Sequence, residues 1–188
     1  EVLGKPNQSM RSIASAIESS LASYGAHHTM GNISGNHDKC RFVSLAGGAV
    51  RWDENDKRAG WTREVGVTAD GDAAREEAAY KAAMLLEVTN LTIPGVPCIY
   101  QGDEYGQAGA NDPDNRHMMR FSGLTEREQA FRQEVQDLIR MRRNSMPLLY
   151  GDYIPVEATD SRLVFDRIYL GDRVRVTIDL PSLSYTIE

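Results

Sequence analysis

The chain reads as an α/β protein that ends in a small antiparallel β region, and three observations carry that reading. Apolar residues recur at helical spacing in three separate stretches. Two short strand-like runs each end in a polar cluster, and one of them follows a helical stretch with no room for more than a turn. Beyond Leu148 the texture changes, and residues 173–180 alternate polar and apolar side chains.

The first helix is marked by Met10, Ile13, Ala14, Ile17, Leu21 and Tyr24 at three- and four-residue steps, with Ser9 placed as its cap and Gly25 as its stop. His28 to Asn36 is too short and mixed for a helix, and Gly31 and Gly35 weaken one, so it reads as a strand closing in a loop. Residues 44–70 hold several glycines and many charges without a sustained period, the texture of a long connecting loop. Asp72 caps the next helix, Glu76 and Glu77 suit its positive end, and Tyr80, Met84, Glu87, Val88 and Leu91 mark its buried stripe before Pro94-Gly95. Val96 to Tyr100 follows at once as a buried strand, the pattern of a helix leading into a parallel strand.

After a glycine-rich loop from Gly102 to Gly123, Thr125 and Glu128 form a capping box for a third helix. Phe131, Val135, Leu138, Ile139 and Arg142 follow its inner face, and it stops near Asn144. Leu163-Val164-Phe165 and Ile168-Tyr169-Leu170 then flank short turns. Val174, Val176, Ile178 and Leu180 alternate with Arg173, Arg175, Thr177 and Asp179 as a half-buried antiparallel strand. A domain boundary is expected near residue 147.

A chain of 188 residues supports one core, or one core with a small appendage. Its net charge of −6 argues against nucleic-acid or anionic-membrane partners, which demand a basic surface, and leaves neutral ligands open. Cys40 and Cys98 read as plain thiols, and no apolar stretch approaches the length of a membrane span.

The candidate site lies where the strands end. Gly31 to Cys40, G-N-I-S-G-N-H-D-K-C, closes a strand with His37 beside Asp38, and Val96-Pro97-Cys98-Ile99-Tyr100 runs into Gln101-Gly102-Asp103-Glu104. Other readings stand beside this one. His37 and Asp38 could form a loop hydrogen bond with no ligand. They could join His27 and His28 as metal ligands, although strand alternation sends the two adjacent histidines to opposite faces. Asp103 and Glu104 suit bonding to loop amides, and Gly102, Gly106 and Gly109 follow no phosphate-binding pattern. Trp52 and Trp61 suit either stacking on the apolar face of a ligand or pinning their loop. Sequons at Asn7, Asn32 and Asn90 read as chance, since the last two fall on a strand and a helix end.

Taken in order, a helix, a strand ending in N-H-D, a helix, P-G-V-P-C-I-Y-Q-G-D-E, a loop with D-P-D-N-R, a helix and a β-rich tail resemble the last quarter of the α-amylase superfamily. These are retaining α-glucan hydrolases and transglycosylases built on a (β/α)8 TIM barrel with a C-terminal β-sandwich. The stretch Asp112 to Phe121 is similar to the version in neopullulanase- and cyclomaltodextrinase-like members. The resemblance implies the C-terminal part of the barrel, helix six through helix eight, over residues 1–147, and the start of a small antiparallel β domain over 148–188. It places His37 and Asp38 at the carboxyl end of barrel strand seven, where such barrels assemble their sites.

On that resemblance Asp38 is the catalytic carboxylate that stabilises the transition state without being the nucleophile or the acid, and His37, Asp112 and Arg116 bind substrate. A carboxylate accepts from two hydroxyls and an imidazole can donate, which suits a neutral sugar. Arg41 fills the arginine place of H-D-x-x-R and is expected to fix the loop. The nucleophile and acid/base carboxylates of the family come from strands four and five, and no segment resembling either is found, so the chain is expected to be a C-terminal portion, inert alone. The implied partner is an α-glucan oligosaccharide or polysaccharide: starch, maltooligosaccharides, cyclodextrins or pullulan. Open sheet edges predict a homodimer. No metal or other cofactor is assigned, calcium being a feature of many full-length relatives, and the resemblance favours a secreted or periplasmic compartment. The rival readings are a non-catalytic carbohydrate- or partner-binding relative with the same fold, and an unrelated α/β protein.

Overall fold

In the computed structural model, residues 2–5, 7–26, 29–52 and 64–188 are described. In chain order the elements are α1 (Met10–Tyr24), β1 (Gly31–Ile33), α2 (Phe42–Ala46), α3 (Ala73–Thr92), β2 (Val96–Cys98), α4 (Glu126–Arg143), α5 (Met146–Tyr150), β3 (Asp152–Ala158), β4 (Arg162–Tyr169), β5 (Asp172–Asp179) and β6 (Ser184–Ile187). β1 pairs with β2, and β3 to β6 form a four-stranded sheet in sequence order, antiparallel throughout. The chain makes two compact units. Unit one comprises residues 1–32, 85–98 and 137–188, and unit two comprises 33–84 and 99–136.

Unit one contains α1, the end of α3, the end of α4, α5 and the four-stranded sheet. The Ser9 hydroxyl caps α1 by accepting from the Arg11 amide and donates to Asp160 Oδ1 at 2.7 Å, while the Met10 amide reaches the Asp160 carbonyl at 3.0 Å. Met10, Ala14 and Ile17 are buried, and α1 packs on β3 and β4.

Leu163 to Phe165, Ile168 and Tyr169 belong to the single strand β4 and Leu170 opens the turn after it, so the short turns lie at the ends of this strand. Asp166 and Arg167, in the middle of β4, each have a specific partner. Arg175 lies opposite Asp166 on β5 and binds its carboxylate with two bonds, at 2.7 and 2.9 Å. Arg167 is only 1% exposed. It donates to the Gly151 carbonyl from Nε and Nη2, and from Nη1 to the Thr92 carbonyl at 2.5 Å. Arg142 reaches the carbonyls of Leu91, Ile93 and Gly95. These two guanidinium groups therefore satisfy the carbonyls that the end of α3 leaves without helical partners. Burial, with the like charge of Arg142 nearby, brings Arg167 down to about 10. The five-residue α5 was not foreseen. It is too short to show a period, but Ser145 caps it through the Leu148 amide and Pro147 sits in its first turn.

β1 and β2 are shorter than the predicted strands, at three residues each. β2 is not the buried strand expected, since Val96 is 47% exposed and Pro97 half-buried. An unbroken apolar run does not reveal whether both faces of a strand are covered, and among the described residues this sheet has two strands.

Unit two is built on two apolar clusters. Cys40, Leu45, Val50 and Ala110 form one, with Trp52 and Val65 against it; Val43, Val67 and Ala79 form the other, with Tyr80 against it. The short helix α2 occupies the start of the stretch expected to be loop. The chain closes tightly there, because a Cβ on Gly47 would lie 2.2 Å from the Val67 carbonyl oxygen. The capping box at the start of α4 forms as expected, with the Thr125 amide donating to Glu128 at 2.8 Å and the Glu128 amide to the Thr125 hydroxyl at 3.3 Å.

Candidate functional site

Unit two brings the two polar strand ends together through partly buried hydrogen bonds. Ser34 accepts from the Tyr100 amide at 3.2 Å and donates to Asp103 Oδ2 at 2.9 Å. Arg41 Nη1 donates to the Gln101 carbonyl at 2.7 Å and to Asp103 Oδ1 at 2.8 Å, with the guanidinium 4.3 Å above the Tyr100 ring. Arg41 thus holds the loops together, as its place in H-D-x-x-R implied. Burial raises the Asp103 carboxyl, and Arg41 and Ser34 pull it back. Glu104 accepts from the Gly102 amide at 2.6 Å, so both acids serve the loop. A Cβ on Gly35 would fall 2.5 Å from Asp103 Oδ2, and the close approach of the two loops requires glycine there.

Above this framework the turn from Asn36 to Lys39 is closed by the Asp38 amide donating to Asn36 Oδ1 at 2.8 Å. It leaves the His37 and Asp38 side chains open to solvent, 64% and 51% exposed, with His37 Nε2 3.6 Å from Asp38 Oδ1. The D-P-D-N-R loop meets this turn. Arg116 Nη2 is 3.1 Å from Asp112 Oδ2 and 3.8 Å from Asp38 Oδ1, and its Nε donates to the His37 carbonyl at 3.0 Å. The other three expected site residues therefore gather around the Arg116 guanidinium, Asp38 and Asp112 by their carboxylates and His37 by its carbonyl, although the two segments are more than seventy residues apart.

The loop is held from below by residues that sequence reading passed over. Asp114 is buried and accepts from the amides of Val65 and Ala110 at 3.1 and 2.6 Å, while its other oxygen lies 2.8 Å from His117 Nε2. Asn115 is fully buried and donates from Nδ2 to the carbonyls of His37 and Lys39, at 2.9 and 2.7 Å. The signal available in the sequence was the turn-forming D-P-D-N itself, which marks a loop and not which of its polar residues turn inward.

Trp52 is half-buried against the Cys40 cluster and meets Phe42 edge-on at 6.1 Å, which matches the loop-pinning alternative. His27, His28 and Trp61 lie outside the described residues. Asn32 donates to the Pro94 carbonyl and Asn90 is buried, which leaves neither amide open to a glycan. Among the described residues no three His, Cys, Asp or Glu side chains converge to hold a metal ion. No described helix is long and apolar enough to cross a membrane.

No family model matches the chain. A cyclomaltodextrinase of Thermoanaerobacter pseudethanolicus is 28% identical over 156 residues, 83% of this chain and 22% of the relative. A cyclomaltodextrin glucanotransferase of Geobacillus stearothermophilus is 38% identical over 104 residues, 55% of this chain and 14% of the relative. Among solved structures, the α-amylase of Geobacillus thermoleovorans complexed with acarbose matches with a TM-score of 0.69 at 22% identity, covering 94% of this chain and 33% of that one. The three-domain cyclomaltodextrin glucanotransferase CldA matches at 0.67 and 24% identity, with 95% and 30% covered. The chain thus spans less than a quarter of the length of these curated relatives. These relatives and structural neighbours are α-amylase-family enzymes, and the chain is similar to a part of each. Its fold is α/β, that of the C-terminal part of a (β/α)8 barrel followed by a small antiparallel β domain.

Proposed function

We propose that this chain carries the sugar-holding wall of an α-glucan-processing site, with Asp38 stabilising the transition state and His37, Asp112 and Arg116 binding substrate. The observation that supports this best is the convergence of Asp38, Asp112 and the His37 carbonyl on the Arg116 guanidinium. Arg116 pairs with Asp112 at 3.1 Å and stands 3.8 Å from Asp38, both carboxylates retain acceptor positions for sugar hydroxyls, and the exposed His37 imidazole lies beside Asp38 to bond a further hydroxyl. Such contacts accelerate cleavage when they strengthen as the ring flattens toward an oxocarbenium-like state.

Retaining cleavage needs two more carboxylates, a nucleophile and an acid, about 5 Å apart across the scissile bond. Neither is recognised among these residues, so the reading assigns both to other parts of the whole enzyme and makes this chain inert by itself. Residues 1–147 then form the C-terminal part of the barrel and 148–188 the start of the β domain, a division supported by the four-stranded sheet lying wholly beyond Gly151. The edges of the β1–β2 sheet would pair in a homodimer.

Titrating maltoheptaose and β-cyclodextrin into the chain by calorimetry tests the reading. Binding that weakens in Asp38→Asn, with no reducing sugar released, is expected. No binding at millimolar ligand overturns the sugar-holding role, and turnover lost in Asp38→Asn overturns the inert assignment.

A further inference from the structure

The turn that presents His37 and Asp38 makes one short internal bond, from the Asp38 amide to Asn36 Oδ1. The Lys39 amide lies 3.4 Å from the Asn36 carbonyl, a weak closure for a segment whose side chains are all open to solvent. What grips its backbone comes from the other loop. Both hydrogens of the Asn115 amide are spent on it, one to the carbonyl of His37 and one to that of Lys39, the residues on either side of Asp38. Arg116 adds a third bond to the His37 carbonyl. Asn115 Oδ1 is buried with no protein partner among the described residues, so the side chain is used here as a donor alone.

From this geometry we infer that Asn115 is a positioning residue for the candidate site, which locks the backbone on both sides of Asp38 and so fixes the direction of its carboxylate. The inference deepens the α-glucan reading above and rests on it. A carboxylate acting on ring hydroxyls must be held in place before the sugar arrives, because any looseness is lost as entropy on binding. An exposed four-residue turn cannot supply that rigidity by itself, and a buried amide with two short bonds can. Gly109 is part of the same device. A Cβ there would lie 2.8 Å from the Asp114 carbonyl oxygen, 3.1 Å from Arg41 Cγ and 3.2 Å from Asn115 Cα, so the missing side chain is what lets Asn115 sit within reach of the turn.

The test uses the whole chain and two readouts: backbone NMR order parameters, and the affinity for maltoheptaose. Asn115→Ala removes both donors, and Asn115→Asp sets a carboxylate of the same shape against two carbonyls. Both variants are expected to drop the His37 and Asp38 amides from rigid values near ~0.85 to below about 0.6. Amide protection in α3 and α4 is expected to persist, and maltoheptaose to bind about tenfold more weakly. A turn as ordered as in the parent chain overturns the inference, since a residue needed only for folding would leave that local readout unmoved. If either variant fails to fold, Gly109→Ala keeps the amide and pushes it away from the turn. Loosening of the same residues is then expected, and unchanged order there overturns the inference. If the parent chain does not bind maltoheptaose, the α-glucan reading falls, and the order parameters still decide whether Asn115 positions the turn.

Discussion

The two units bury arginine in different ways, and the difference predicts what each can tolerate. In unit one Arg142 and Arg167 donate to main-chain carbonyls at the end of α3 and at Gly151. In unit two Arg41 is matched to the acid Asp103 at 2.8 Å and stacks on Tyr100. Carbonyl dipoles satisfy donors without introducing a second charge, whereas an ion pair commits both partners to staying buried together. Unit one uses its arginines to close a helix end; unit two uses an ion pair to join the two loops that carry the candidate site.

The largest effect should come from separating the unit two pair. Arg41→Met leaves Asp103 buried beside a single hydroxyl donor and is expected to cost about 3–5 kcal/mol, measured as a shift in urea midpoint at constant slope. That cost should also depend on pH. Burial already raises the Asp103 carboxyl, and without Arg41 the opposing pull is gone, so it rises further. A raised carboxyl in the folded state binds more protons than in the unfolded chain. Its stability is then complete below the unfolded pKa and lost as pH climbs through the folded one. Arg41→Met should therefore be more destabilising at pH 8 than at pH 5, and an equal loss at both would mean that Asp103 finds another cation.

The matching substitution in unit one should be milder. Arg167→Met removes the charge together with its donors and strands only the carbonyls of Thr92 and Gly151, an expected loss of about 1–3 kcal/mol. It should be flat between pH 5 and pH 8, because Arg167, lowered to about 10, is protonated throughout that range. A loss equal to that of Arg41→Met would remove the distinction between the two kinds of burial.

The same contrast sets what could be read from sequence. The helices declare themselves by period and caps, and Met84, Val88 and Leu91 of α3, like Phe131, Val135 and Leu138 of α4, are buried where the pattern puts them. The candidate site residues could be named because His37-Asp38 closes a strand and Asp112-x-x-x-Arg116 lies in the loop after the next one, both within motifs that carry the resemblance. The roles of Asp166 and Arg167 were not legible, because their partners are the distant Arg175 and the carbonyls of Thr92 and Gly151. Asn115 was missed for the same reason. Long-range acceptors decide its role, and no local spacing encodes them.

The smallest effect on stability should come from the residue that matters most to the proposed function. Asp38 is 51% exposed and its closest cation, Arg116, stands 3.8 Å away, a surface ion pair that solvent screens. Asp38→Asn should therefore change the urea midpoint by no more than the equivalent of about 0.5 kcal/mol. The same substitution replaces one carboxylate oxygen with an amide donor facing Arg116 and sugar, so maltoheptaose affinity should fall even though the fold is untouched. Loss of binding without loss of stability would separate this open turn from the buried Arg41–Asp103 joint beneath it. Loss of stability comparable to Arg41→Met would make Asp38 part of that joint and remove the case for a free, sugar-facing carboxylate.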